Sequence, residues 1–303
     1  MKFPLWLINL FLRLVEKRHL ARATDLPKLR RRFVRQARLI FSNPPYSSYL
    51  ADVFCGGGHP VPVVWASSGR PTREGVILYF HGGSYVFGSP RTHQAMLAKL
   101  SRLSGLRTVL PDYRLAPEHG FPAALDDAVA AYTHLIDRGY RPHQIILGGD
   151  SAGGGLALAL LHVICTTDLP RPGGVFAFSP WTDLTFSGAS IRDNARADPM
   201  LPVGRLAEMR DNYLQGSDPS DPRASPLFGR FEGASAVLVQ CGNHEILLDD
   251  ARRMVGNLKA QNIEARLDVW ENVPHVWQIF QGRLSQADRA LGDVAEFLAR
   301  SVR

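Results

Sequence analysis

The sequence predicts an α/β fold, a mostly parallel sheet with helices on both faces, and three observations carry that prediction. From Val76 onward, short apolar runs of strand length alternate with segments of helical period, the rhythm of repeated strand–helix units. Val76-Ile77-Leu78-Tyr79-Phe80 is apolar without interruption, as a strand buried on both faces must be. Gln144 to Leu161, QIILGGDSAGGGLALALL, passes from a β-branched run into a leucine-rich helix through the turn Gly148 to Gly154.

That turn is the stretch the rest of the chain serves. A strand that reverses into a helix within a few residues forces its apical residue into strained φ/ψ, and glycines two positions to either side remove side chains that would clash. Gly149, Ser151 and Gly153 have that spacing, the G-x-S-x-G pattern that lifts a serine hydroxyl above a sheet at a helix N-terminus. The pattern alone also fits a glycine-rich turn without chemistry. A phosphate loop of the P-loop kind would need Lys beside Ser or Thr at its end, and neither pairing is present.

At 303 residues the chain has ample length for a large core, and its 45% hydrophobic and 21% charged composition is ordinary for a soluble protein. The net charge of +7 is concentrated in the first 40 positions and no nucleic-acid motif follows it, so no nucleic-acid partner is expected. Cys55, Cys165 and Cys241 are distant and odd in number, which argues for free thiols and a cytoplasmic, reducing setting. No His/Cys cluster has ligand spacing, so no metal site is expected.

The elements follow in order. Met1 to Val15 is apolar but short, is broken by Asn9 and Arg13, and leads into Glu16-Lys17-Arg18 without a small-residue cleavage site. An amphipathic helix is expected there. Leu26 to Phe41 reads as a second, basic helix, with Leu29, Phe33, Val34, Ala37 and Ile40 between arginines. Residues 1–45 thus form a helical arm, read as part of a lid over an apolar site in preference to a membrane-surface contact. Asn43-Pro44-Pro45-Tyr46 separates it from the body, and glycines 56 to 58 with Pro60 mark a turn between two short strands, the second ending near Trp65. Helices are expected at Thr92–Leu103, Phe121–Asp137, Asp249–Gln261 and Ser285–Arg300, and strands at Thr108–Pro111, Gly174–Phe178, Ala236–Cys241 and Ala265–Trp270. Between Pro180 and Phe228 lies a proline-rich excursion with one short helix, Val203–Leu214, of a length usually reserved for function.

A serine hydroxyl is a poor nucleophile until a base takes its proton, and the base needs a carboxylate to hold its tautomer. In the α/β-hydrolase arrangement the acid and then the histidine follow the serine in the chain. Of the histidines well beyond the excursion, His244 precedes any plausible acid. His275 falls in the loop between the last strand and the last helix and is the candidate base. For the acid, Glu245 lies just after a strand and is favoured over Asp249 and Asp250, which sit where a helix start places acidic residues anyway. The oxyanion of an acyl-transfer intermediate needs N–H donors. Ala152 supplies one, and the turn His81-Gly82-Gly83-Ser84 after the Val76–Phe80 strand is placed to supply others.

His81-Gly82-Gly83, Asp112-Tyr113-Arg114-Leu115-Ala116-Pro117-Glu118, Phe121-Pro122-Ala123-Ala124 and Gly149-Asp150-Ser151-Ala152-Gly153-Gly154 resemble the hormone-sensitive-lipase-like branch of the α/β-hydrolases, bacterial carboxylesterases among them. The resemblance implies an eight-stranded body over 46–179 and 229–303, and a cap built from the arm and residues 180–228. It also implies hydrolysis of short- to medium-chain acyl esters through an acyl-enzyme, without a cofactor. Lactone, amide or carbamate hydrolysis would use the same groups. Plant gibberellin receptors resemble the family but lack its catalytic histidine, which this chain keeps at His275. The chain departs from the family at Ser84, where a third glycine is usual, and at Glu245, which stands where many members carry Asp. The resemblance also casts Arg114 and Glu118 as structural braces, His81 as motif support, and Asp150 as a residue outside the chemistry. The expected partner is a small-molecule ester. Weak membrane contact through the arm and a homodimer are both compatible with the sequence.

Overall fold

The computed structural model describes residues 2–56 and 59–301. Eight strands, β1 (Ser47–Gly56), β2 (His59–Ser68), β3 (Val76–Phe80), β4 (Arg107–Pro111), β5 (Ile145–Asp150), β6 (Gly174–Phe178), β7 (Val237–Gly242) and β8 (Ala265–Trp270), form one sheet in the order β1-β2-β4-β3-β5-β6-β7-β8. Only β1–β2 and β2–β4 pair antiparallel; β4, β3, β5, β6, β7 and β8 run parallel. Ten α-helices accompany them: α1 (Leu5–Phe11), α2 (Lys17–Arg22), α3 (Leu26–Ile40), α4 (Pro90–Ser104), α5 (Ala123–Asp137), α6 (Ala152–Thr166), α7 (Ser190–Asp193), α8 (Leu206–Leu214), α9 (Leu248–Ala260) and α10 (Ser285–Ser301).

The uninterrupted apolar strands are uninterrupted because both of their faces are covered. Along β3, Val76, Leu78 and Phe80 enter one core with α5, α6 and α9, while Ile77 and Tyr79 enter a second with α4 and α10. The same alternation divides Val175 and Ala177 of β6 from Phe176 and Phe178. Because these strands are parallel, their carboxyl ends lie along one edge, where an open α/β sheet binds its ligands. The segments after β3, β5, β6, β7 and β8 all leave from that edge.

The structure differs from the sequence expectation at three places. The first hairpin is longer than predicted, and Pro60 lies within β2, opposite Cys55. It is tolerated because β2 at that point has only β1 as a neighbour, the contact with β4 beginning at Val63. The turn expected at glycines 57 and 58 lies outside the described residues. In the excursion between β6 and β7, the four-residue α7 was not anticipated, and the predicted Val203–Leu214 helix begins as a 3₁₀ turn before α8.

One buried carboxylate ties α5 to the strands. Asp127 accepts from the Arg114 backbone N–H at 2.8 Å and from the Arg114 guanidinium at 2.7 Å, and His59 Nε2 lies 2.6 Å away. Asp127→Ala leaves the Arg114 amide without its acceptor and the guanidinium with only the Ala123 carbonyl at 3.2 Å. We expect a loss of about 1–3 kcal/mol in urea unfolding with an unchanged m-value.

Candidate active site

At the apex between β5 and α6, Ser151 adopts φ 52°, ψ −123°, outside the ordinary regions for a residue with a side chain. The conformation is held from outside. Ser151 N–H donates to the Phe178 carbonyl at 2.8 Å, and its own carbonyl accepts from Trp181 N–H at 2.9 Å. A Cβ on Gly149 would lie 2.1 Å from the Gly153 carbonyl oxygen, and one on Gly153 would lie 2.1 Å from that of Phe80. The two flanking glycines are therefore required by close backbone approach. Ser151 Oγ has no hydrogen-bond partner among the described residues and faces a cavity of about 110 Å³.

His275 lines the same cavity. Its Nδ1–H donates to Glu245 Oε2 at 2.6 Å, which leaves Nε2 as the ring's unprotonated nitrogen. Glu245 is fully buried, and its other oxygen, Oε1, accepts from the Ser179 hydroxyl at 2.7 Å and from Gly242 N–H at 2.6 Å. Burial alone would pull the His275 pKa down. The hydrogen bond and charge of Glu245, with Asp198 and Asp150 farther off, outweigh burial and leave it above the ordinary 6.5.

The rival acids are engaged elsewhere. Asp249 accepts from Ser190 N–H at 2.9 Å, and Asp250 from Thr182 N–H and Asp183 N–H at 2.8 and 2.9 Å, both in the segment after β6. Burial pushes the Asp250 carboxyl up to about 7. His244 is half-buried in the loop after β7 and does not line the cavity.

Gly82, Gly83 and Ser84 also line the cavity, and Ala152 follows Ser151 at the first turn of α6. None of their backbone N–H groups has a partner among the described residues. A Cβ on Gly82 would lie 2.2 Å from Asp150 Oδ2, and one on Gly83 (φ +123°) 2.1 Å from the Phe87 carbonyl, so the turn closes only with glycine at both. Ser84 accepts a left-handed φ of 53°. His81 stands behind this turn. Its Nδ1–H donates to the Gly82 carbonyl at 2.8 Å and its ring stacks on Tyr113 with centroids 4.3 Å apart. Burial, then the neighbouring His93, holds its pKa down to about 3, so the ring is a neutral prop. Asp150 accepts from the Tyr79 hydroxyl at 2.8 Å and lies 3.3 Å from His93 Nε2. Burial would raise its carboxyl, but His93 and Tyr79 together bring it below the usual carboxylate range.

Three supports escaped the sequence reading. Ser179 directly follows β6 beside the elbow and bonds Glu245. Its position at a strand's carboxyl end was the available signal. His93, on α4, contacts Asp150 and lines the cavity. Asp198, buried in the excursion, accepts Ile246 N–H at 3.0 Å and the N–H groups of Met200 and Leu201 at 2.8 and 2.9 Å. It thereby fixes the residue after Glu245, and nothing in the sequence marked it.

Phe11, Leu12, Leu20, Leu29, Phe33 and Ile40 of the arm wall the cavity opposite Ser151, and Met200 and Leu201 close one side. Two cations bind the arm to that side. Arg13 donates to the carbonyls of Arg196 and Ala197 at 2.6 and 2.8 Å, and Lys17 to those of Ala195 and Asp198 at 2.8 and 2.6 Å. Arg30 joins the arm to Glu118 through two 2.8 Å bonds. Glu118 therefore braces the arm, while Arg114 braces α5 through Asp127.

With this geometry in view, the chain's relatives are informative. Residues 77–279 match the model of a family described as having the alpha/beta hydrolase fold. An esterase from the bacterial hormone-sensitive lipase family superposes on the whole chain with a TM-score of 0.91 at 37% identity, covering 100% of both chains. The chain belongs to the hormone-sensitive-lipase-like α/β-hydrolases. An acetyl-hydrolase of Streptomyces hygroscopicus is 37% identical over 231 residues, 76% of this chain and 77% of that protein. An esterase of Acinetobacter venetianus is 35% identical over 223 residues, 73% and 74% of the two. The solved esterase EstE5, soaked with p-nitrophenyl butyrate, matches 98% of both chains with a TM-score of 0.90 and 34% identity. Among the described residues no group of three or more His, Cys, Asp or Glu could hold a metal.

The grip of Arg13 and Lys17 on four successive carbonyls predicts a measurable coupling. In Arg13→Met/Lys17→Met, amide exchange at Met200, Leu201 and Ile246, which all donate to Asp198, should accelerate about ten-fold or more in hydrogen-exchange mass spectrometry, while that of Arg114 stays unchanged.

Proposed function

We propose that the protein is a serine carboxylesterase in which Ser151 is the nucleophile, His275 the general base and acid, and Glu245 the carboxylate that orients the imidazole. The observation that carries this reading is the Glu245–His275 pair, joined at 2.6 Å, with His275 lining the same cavity as a serine held at φ 52°. Ser151 Oγ attacks the ester carbonyl as its proton passes to His275 Nε2. The N–H groups of Gly82, Gly83, Ser84 and Ala152 receive the oxyanion, a donor in such a hole being worth about 2.7–4 kcal/mol in related chemistry. Collapse breaks the ester C–O bond, and His275 returns the proton to the departing alkoxide. A water then attacks the acyl-serine by the same route, releasing the acid and restoring Ser151.

The substrate is a small-molecule ester with a short to medium acyl group. The cavity volume of about 110 Å³ and its wall of Phe and Leu side chains support a small acyl group, since a cavity of roughly 150 Å³ holds benzene. Residues 1–45 and 180–228 act as the cap over a body formed by 46–179 and 229–303, a division supported by their share of the cavity wall. The chemistry asks for no metal or cofactor, and three unpaired cysteines favour a cytoplasmic setting.

Ser151→Ala should reduce hydrolysis of p-nitrophenyl butyrate to background while circular dichroism stays that of the parent. Undiminished turnover would refute the assignment. The raised pKa of His275 sets a second outcome. The imidazole must be neutral to accept the proton, so kcat/KM should fall as pH drops through a value above 6.5. In Glu245→Gln the charge that raises it is gone while its burial remains, and the residual activity should lose its acid limb at a lower pH than the parent.

A further inference from the structure

The arm presents an apolar face to solvent, inverted from the usual order of a surface helix. α1, a π-helical turn at Leu12–Glu16 and α2 run without a break from Leu5 to Arg22. The run buries Ile8 and Leu12, while Leu7, Leu10, Phe11 and Leu14, at helical spacing, are 40–46% exposed and Trp6 is 66% exposed. Leu39, at the end of α3, is 79% exposed and borders the same groove as Leu7 and Phe11. That groove shares Phe11, Ile40 and Phe280 with the cavity of Ser151. Monomeric soluble proteins seldom leave so many large apolar side chains together without a partner.

Charge identifies the partner. Residues 2–41 hold eleven basic and two acidic residues, a formal +9, whereas the whole chain carries +7 and the remainder therefore −2. Arg18, Arg22, Lys28, Arg31, Arg35 and Arg38 are exposed and form no ion pair among the described residues. Docking this face against a second copy would bring two such arms together, like charge against like. An anionic surface with an apolar interior meets both features at once: Trp and Leu side chains enter the headgroup boundary and arginines meet the lipid charge. No helix of the described residues is long and apolar enough to cross a membrane, so the arm would lie in the interface plane.

We propose that the N-terminal arm docks the protein on anionic lipid bilayers, with the mouth of the Ser151 cavity at the lipid surface. This names a partner for the site read above as an ester hydrolase, and its test is read without turnover. The full chain is sedimented with vesicles of phosphatidylcholine, and with vesicles of equimolar phosphatidylcholine and phosphatidylserine. Pelleting is expected with the second kind only, and raised salt should weaken it. Leu10→Glu/Leu14→Glu and Arg31→Glu/Arg35→Glu/Arg38→Glu alter exposed residues outside the cavity wall. Each should lower partitioning roughly ten-fold or more while circular dichroism stays that of the parent. Ser151→Ala should pellet like the parent, so a failed esterase assignment and a failed docking are separate results. Absence of pelleting with the anionic vesicles, or undiminished pelleting in either charge variant, overturns the proposal. So does a dimer that Leu10→Glu/Leu14→Glu disperses in a chain that ignores vesicles.

Discussion

The site depends on a backbone held where backbone does not rest. Ser151 keeps a positive φ because Gly149 and Gly153 allow the strand, the helix and the end of β3 to approach within distances that no Cβ would permit. The cost of such a conformation, on the order of 1–3 kcal/mol, is spread over the central core, since β5 lies between β3 and β6 and is buried along its length. The same close packing sets the Gly82–Ser84 turn against Asp150, so the hydroxyl and the amides that would face an oxyanion are registered to one another by backbone contact. Geometry of this kind requires no reorganisation when charge develops.

Glu245, the proposed acid, is built on a different principle. Glu245 is a buried carboxylate, and burial of a charge is tolerated where the group is paired and hydrogen-bonded. Its two oxygens are met by one imidazole, one hydroxyl and one backbone N–H. The longer side chain of Glu, compared with the Asp common in the family, is accommodated because it folds back onto its own loop: Oε1 reaches Gly242 N–H, three residues earlier. A Cβ on Gly242 would lie 2.7 Å from the Val273 carbonyl, so this residue too is glycine by necessity.

The central fold was legible because a strand covered on both faces has little freedom in its composition: β3 is apolar throughout, and β5, β6 and β7 each carry an apolar stretch of at least three residues. Local spacing also marked the elbow glycines that close backbone approach requires, and chain order singled out Glu245 and His275, which the structure joins at 2.6 Å. Features that depend on distant approach were not legible. Asp198 lies 48 residues from Ile246, whose amide it holds, and sits in an irregular segment whose path no periodicity reveals. Position favoured Glu245 over Asp249 and Asp250, since acidic residues suit the start of any helix, but position alone carries no contact. The structure distinguishes them by what each carboxylate touches, and both aspartates hold the segment that follows β6. The four residues of α7 are too few to carry a period, and the hairpin of β1 and β2 was cut short because prolines disfavour strands except where, as here, one side is unpaired.

The arm joins these two kinds of order, because its helical circumference is divided among three neighbours. Ile8 and Leu12 enter the core beside α4 and α10, as an ordinary amphipathic helix would. Asn9, Arg13 and Lys17, one turn apart, spend their donors on backbone carbonyls of the loops at 272 and 195–198, which lead to His275 and to the Asp198 that fixes Ile246. The remaining side is apolar and open. A helix designed only to roof a cavity would place polar residues there, and one designed only as an anchor would have no reason to grip the loops of the site. Both features in a single run of 18 residues, Leu5 to Arg22, couple the exposed side, through side-chain hydrogen bonds to loop carbonyls, to the segment whose Asp198 holds the residue after Glu245. Displacing the arm would therefore open the cavity and loosen the Asp198 support together, so access to Ser151 and the order of the residues around Glu245 are not independent properties of this chain.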